Sequence, residues 1–181
     1  MATHILLKNT FKTWTINQNS DSWVLGKNAT LMVANAPAIF MNSKYHDNEI
    51  TILGDILNTG RDSYGMLLFG DRTEITIGVN SNIQALSGVT SLGVHTTVVN
   101  KGDIDAALYG MALGHNGTLI NSGSMVGIGG VAFSKHGTLI NLEGGRILGG
   151  ENGVVFGSGS STLVNYGLIS VSQIIQKSSQ V

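Results

Sequence analysis

The chain has 181 residues, 25 of them glycine, one proline and no cysteine, and a net charge of -1 at pH 7. Without cysteine there are no disulfide staples, thiolate metal sites or cysteine nucleophile, and near-neutral charge without a basic run argues against nucleic acid as the main partner. No apolar run reaches the roughly 18 residues that a membrane-spanning helix needs. Charged residues make up 12%, about half the roughly 25% of an ordinary soluble domain, and with so much glycine an ordinary helical enzyme is disfavoured.

In chain order, residues 1–20 hold Trp14, Lys8 and Lys12 and break the beat that follows, as a capping segment would. Residues 1–8 have neither the basic start nor the apolar stretch of a cleavable export signal. Residues 21–170 carry an internal repeat, the first thing to seek in any chain. It is plainest in Gly117-Thr118-Leu119-Ile120-Asn121 and Gly137-Thr138-Leu139-Ile140-Asn141, and recurs at Thr97–Asn100 and Thr162–Asn165. Degenerate copies begin at Thr30, Thr51 and Thr76. A second strip precedes each copy as an apolar residue closed by a small one: Leu25-Gly26, Phe69-Gly70, Leu92-Gly93, Leu113-Gly114, Phe133-Ser134 and Phe156-Gly157. A third is a lone apolar position, Ile56, Ile83, Ile104, Met125, Ile147 and Ile169, with a glycine (Gly65, Gly88, Gly110, Gly130, Gly153) before the next strip. Residues 171–181, with Ile174-Ile175, are expected to cap the far end or to run on into a longer rod.

Short runs of β-branched and apolar residues between glycine and asparagine are strand-like, and no stretch keeps a 3.6-residue apolar period. Three short strands per repeat of 20–25 residues make one coil of a parallel β-helix. The expectation is therefore an all-β, right-handed β-solenoid of about seven coils, its equivalent strands stacked about 4.8 Å apart. If Val98, Leu119, Leu139 and Leu163 point inward, the flanking threonines and the following aliphatic residues point outward. Asn100, Asn121, Asn141 and Asn165 then fall inside, where stacked amides can bond one another.

The outward strip is the leading binding candidate. Thr97, Thr118, Thr138 and Thr162, extended upstream by Thr30, Thr51 and Thr76, form one ladder, and Val99, Ile120, Ile140 and Val164 run beside it with Met32, Leu53 and the gap at Gly78. A contiguous apolar strip of this kind marks an interaction surface, and a two-fold dimer is its simplest use. The alternate aliphatic positions weaken an ice-binding reading. His95, His115 and His136, with His46 and Arg72 in comparable turns, are expected to stack as solvated turn residues; no carboxylate shares their column to complete a metal site. Neither a metal nor a cofactor is expected.

An enzymatic β-helix would need paired acids along a groove. Asp55, Asp62, Asp71, Glu74, Asp103, Asp105, Glu143 and Glu151 fall mostly in different columns, so no catalytic residue is assigned. The best acidic cluster is Asp62, Asp71, Arg72 and Glu74, followed by Asp103, Asp105 and Tyr109. The glycine-rich runs 127–130 and 149–153 lack the phosphate-loop and calcium-nonapeptide signatures, and are read as turns in which glycine supplies positive φ.

The pattern of G-T-φ-φ-N followed by glycine and isoleucine resembles the non-calcium β-solenoid segments of secreted bacterial hemolysin-type (RTX-like) proteins and autotransporter-like adhesins, over about residues 28–170. That resemblance implies an exported or surface-exposed protein with a structural, adhesive or binding role. The functional expectation is a self-associating interaction module, with a glycan or cell surface as a possible partner. The alternative is a carbohydrate-active β-helix.

Overall fold

The computed structural model describes residues 1–172, in which every regular element is a β-strand. The expected tail cap of residues 171–181 lies almost wholly outside the described residues. The strands wind into a parallel β-solenoid of about seven turns. Face A stacks eight of them: Thr3–Leu6, Ser22–Leu25, Glu49–Ile52, Glu74–Ile77, Thr97–Asn100, Thr118–Asn121, Thr138–Asn141 and Thr162–Asn165. Face B runs through Thr30–Ala34, Asp55–Thr59, Asn82–Ala85, Asp103–Ala106 and Leu168–Val171; face C through Trp14–Ile16, Ile39–Met41, Tyr64–Leu68, Ser87–Ser91 and Tyr109–His115. The long strands Ser124–Lys135 and Arg146–Ser158 bend round the corner between B and C and belong to both faces.

Residues 1–20 are themselves wound as a coil. Thr3–Leu6 pairs in register with Ser22–Leu25, Thr10 bridges to Leu31, and Trp14–Ile16 pairs with Ile39–Met41. This first turn is fastened by Asp21, whose carboxylate accepts the Ala2 N–H (2.6 Å) and the His4 Nε2–H (3.0 Å) while the His4 ring stacks on Trp23 at 3.9 Å. Those two donors, the Ala2 amide first, hold the Asp21 carboxyl below its ordinary range.

The core follows from period-2 alternation on all three faces. Ile50, Ile75, Val98, Leu119 and Leu139 line face A; Leu31, Ile56, Ile83, Ile104, Met125 and Ile147 line face B; Ile39, Met66, Val89, Met111 and Val131 line face C, all buried. The lone apolar column of the repeat is thus turned inward. So is the asparagine position: Asn100 Nδ2 donates to Asn121 Oδ1 (2.9 Å), Asn121 to Asn141 (2.8 Å) and Asn141 to Asn165 (2.8 Å). Upstream the same column holds Ile77, Ile52 and Leu25, so the ladder occupies the C-terminal half only. The glycine column is steric. A Cβ at Gly88 would press against Ile104 and the carbonyl oxygen of Gly110, and Gly65, Gly110 and Gly130 meet the next glycine's carbonyl in the same way.

The turns depart from expectation. The left-handed position between faces C and A is filled by Ser20, Asp47, Arg72, His95, Asn116 and His136, with glycine only at Gly159. That conformation turns the backbone N–H toward the following coil, as in Arg72 N to Val94 O (2.8 Å) and His95 N to His115 O (3.0 Å). Asn, Asp and His tolerate it best among non-glycine residues, so the stacked hydrogen bond, rather than glycine, fixes this corner.

Two stability predictions follow from these columns. Gly88→Ala forces the inter-coil backbones apart and should lower stability by about 1–3 kcal/mol, as overpacking does, read as a depressed thermal midpoint. Asn121→Ala strands the Asn100 amide and the Asn141 carbonyl and should cost about 2–4 kcal/mol, two buried groups at about 1–3 kcal/mol each with partial relaxation, read from denaturant unfolding.

Candidate functional site

Face A places the candidate strip as two outward columns. Thr97, Thr118, Thr138 and Thr162 are consecutive register partners, as are Val99, Ile120, Ile140 and Val164. Side chains stacked one strand apart shield each other. Val99, Ile120, Ile140 and Val164 are half-buried rather than fully exposed; the exposed apolar side chains of face A stand in its end strands, Ile5 at 56% and Leu163, an inward residue of the last described coil, at 49%.

The ladder of seven threonines does not form. Thr97 pairs with Glu74, and Thr76 pairs with Val99, so Thr51 and Thr76 stand in the aliphatic column, two residues further along the strand. The threonine column instead continues upstream as Glu74, Glu49, Ser22 and Thr3. Thr30 and Met32 lie on face B against Asp55 and Leu57, while Leu53 and Gly78 lie in turns. The physical reason is uneven coil length. First residues of successive face A strands are separated by 19, 27, 25, 23, 21, 20 and 24 positions, so a threonine-to-threonine count slips across faces wherever a corner gains residues. Leu25-Gly26 slips likewise, ending a face A strand while the other members of its strip end face C strands.

The histidines line the C–A corner but share no single column. His95 and His136 hold the left-handed position two coils apart with Asn116 between them, while His115 sits one residue earlier, beside Lys135. Among the described residues no three His, Asp or Glu side chains converge for a metal ion. On the same corner Asp47, a residue the repeat pattern does not single out, lies one coil before Arg72. The Arg72 guanidinium grips it in two-pronged fashion, Nη2 to Oδ2 at 2.9 Å, and the His46 Nδ1–H reaches it at 2.6 Å. Arg72 first, then His46, pulls the Asp47 carboxyl down from 3.8 to about 2. Its signal in the sequence is the coil step alone, since both residues occupy the equivalent turn position.

This pairing disperses the acidic cluster. Asp71 accepts the Val94 N–H, Glu74 faces out from face A, and Asp62 lies at the B–C corner, across face C. Asp103 and Asp105 do project together from face B, beside Asn82 and Gln84 of the previous coil. Asp105 and Gln84 border an open depression of about 450 Å³ with Thr59, Ser63 and Asn58. Asn58 donates to the Ala36 and Tyr64 carbonyls, and its Oδ1 is buried without a protein partner.

No protein-family model, curated protein or solved structure matches this chain. No helix among the described residues is long and apolar enough to cross a membrane. The class is set by the fold alone, a parallel β-solenoid.

The Asp47–Arg72 pair gives a pH test. A carboxyl depressed in the native state stabilises it above its unfolded pKa, near 4, and that contribution is lost as pH falls through about 2. In Arg72→Met the Asp47 titration should move back up toward 3.8, followed by carboxyl NMR shifts.

Proposed function

We propose that the protein is a structural and interaction module that presents a rigid, regularly spaced sheet and self-associates as a dimer through face A. The observation that carries this reading is the uninterrupted stack of Thr97, Thr118, Thr138 and Thr162 beside Val99, Ile120, Ile140 and Val164, four coils without a charged side chain between them. A parallel sheet face is also a template whose spacing is set by the backbone, so recognition needs no induced ordering. By the likeness of its repeat to secreted hemolysin-type and adhesin solenoids, the module belongs outside the cell or on its surface, where a glycan or cell surface is a fitting second partner. No catalytic residue is proposed.

Strand dimensions set the strength of association. Eight strands of four residues give a face of roughly 500 Å², so a dimer buries roughly 1,000 Å² in total, in the range of weak and transient contacts. A carbohydrate-active solenoid is the second reading. The polar patch of Asn82, Gln84, Asp103 and Asp105 beside the open depression favours it, because amides and carboxylates side by side suit sugar hydroxyls.

Outward lysines leave the core untouched. Ile120→Lys with Ile140→Lys should keep the far-UV circular dichroism of the native chain and lower the mass measured by light scattering below that of the wild type. A double variant that keeps the wild-type mass does not use face A.

A further inference from the structure

Face C differs from the other two faces in charge. Faces A and B show Glu49, Glu74, Asp55, Asp103, Asp105 and Arg146 to solvent. The face C segments 14–16, 37–42, 64–70, 87–92, 109–114, 129–134 and 152–157 contain no Asp, Glu, Lys, Arg or His, and the ionisable His115 and Lys135 come only at the last position of their strands. Its central outward column runs Thr15, Phe40, Leu67, Thr90, Ala112, Ala132 and Val155, register partner by register partner. Just past the strands, Phe69 (36% exposed) and Leu92 (55%) stand out, and Phe40 packs edge-on against Phe69 at 6.2 Å. The equivalent positions in later coils are Gly114, Ser134 and Gly157. Face C is therefore bulky from Phe40 to Leu92 and hollow from Ala112 to Ser134, with Thr15 and Val155 of intermediate size at the two ends of the column.

We propose that face C is the docking surface for a second copy of this chain, with the two solenoid axes antiparallel. This goes beyond the face A reading and does not depend on it. A two-fold axis along the Ser87–Ser91 strand reverses the order of coils and preserves position along each strand. Phe40 then meets Ala132 of the twin, Leu67 meets Ala112, Phe69 meets Gly114, and Thr90 and Leu92 meet themselves. In three of these pairs a large side chain faces a small one, while Leu92 lies against its own copy and Tyr64 comes level with Tyr109; self-complementarity of this kind is what an isologous contact needs and is of no use to a smooth lipid surface. With the axes parallel, each side chain would lie at the level of its own copy, bulk on bulk at one end and void on void at the other. Area favours the same occupant. Seven strands of about six residues make a face of roughly 650 Å², so a pair buries roughly 1,300 Å², within the range of stable specific interfaces. A centre free of charge is the compositional mark of such interfaces.

The test is solution mass by light scattering across a concentration series on the full chain, with circular dichroism to verify folding. Ala132→Lys fills a hollow with a charge and should reduce the mass of the wild-type oligomer at equal concentration. Leu92→Lys, outside the strand and already exposed, should do the same without touching the strand ladder, so a misfolded Ala132→Lys does not leave the matter open. Ala112→Leu alone should weaken association at least tenfold, and adding Leu67→Ala should restore it, because bulk and hollow exchange places. A wild-type mass in both lysine variants overturns the proposal, as does a monomeric wild type. Failure of the exchange to restore association overturns the antiparallel pairing. The face A reading fails separately, through Ile120→Lys with Ile140→Lys keeping wild-type mass; a drop there with none in Leu92→Lys and Ala132→Lys leaves face A as the interface and removes face C.

Discussion

Parallel stacking in register places each residue about 4.8 Å from its counterpart in the next coil, so every column must be compatible with itself. Branched aliphatic residues satisfy this by filling each other's gaps, and the columns through Ile56 and Ile83 or Ile50 and Ile75 do so with hardly any exposed surface. Asparagine satisfies it by other means: its amide is donor and acceptor at once, so a stack of identical side chains closes its own hydrogen bonds. Where backbones approach too closely for any Cβ, the column is glycine. Charge is the hard case, since like stacks on like. Asp47 below Arg72 resolves it by alternation, and Glu49 beside Glu74 is kept at a solvated surface.

The same constraint sorts the molecule into faces and corners. Faces cannot accept an extra residue without turning every later side chain over, whereas corners can, and the longest steps between face A strands are absorbed there. The C–A corner keeps one fixed element inside this variability, the left-handed residue whose N–H reaches the next coil. Because that residue points to solvent and its hydrogen bond belongs to the backbone, its side chain is free to be Arg, His, Asp or Asn. Ionisable groups collect at this corner for that reason, although faces A and B also carry a few at solvated positions, among them Glu74, Asp103 and Asp105.

Legibility in the sequence followed the evenness of the spacing. Between Thr97 and Asn141 the coils differ by a residue at most, and there the inward leucines, the outward strip and the amide ladder could all be read directly. Upstream, steps of 25 and 27 residues carry Thr51 and Thr76 into the neighbouring column and Thr30 onto another face, because threonine is equally at home in any outward strand position. Glycine misled in the opposite direction: its abundance reflects close approach between coils more than positive φ, which non-glycine residues largely supply. Face C escaped notice because its outward column, Phe40, Leu67, Thr90, Ala112 and Ala132, repeats no single residue type from coil to coil. Only the ladder that sets them side by side reveals a gradient from large to small. The pairing of Asp47 with Arg72 was hidden likewise, the two being 25 residues apart and related only through the coil.

The amide ladder makes length a free parameter of the fold. Asn100, Asn121 and Asn141 stand at the same point of successive coils, so excising residues 118–137 would set Asn100 directly beneath Asn141, Val98 beneath Leu139 and Ile104 beneath Ile147, with the inward columns still meeting their own kind. Duplication of a single coil would be accommodated just as readily. A gene that gains or loses one such segment changes the reach of the rod in steps of a strand spacing while leaving its cross-section unaltered, so that selection can adjust how far the protein extends without having to rebuild how it folds.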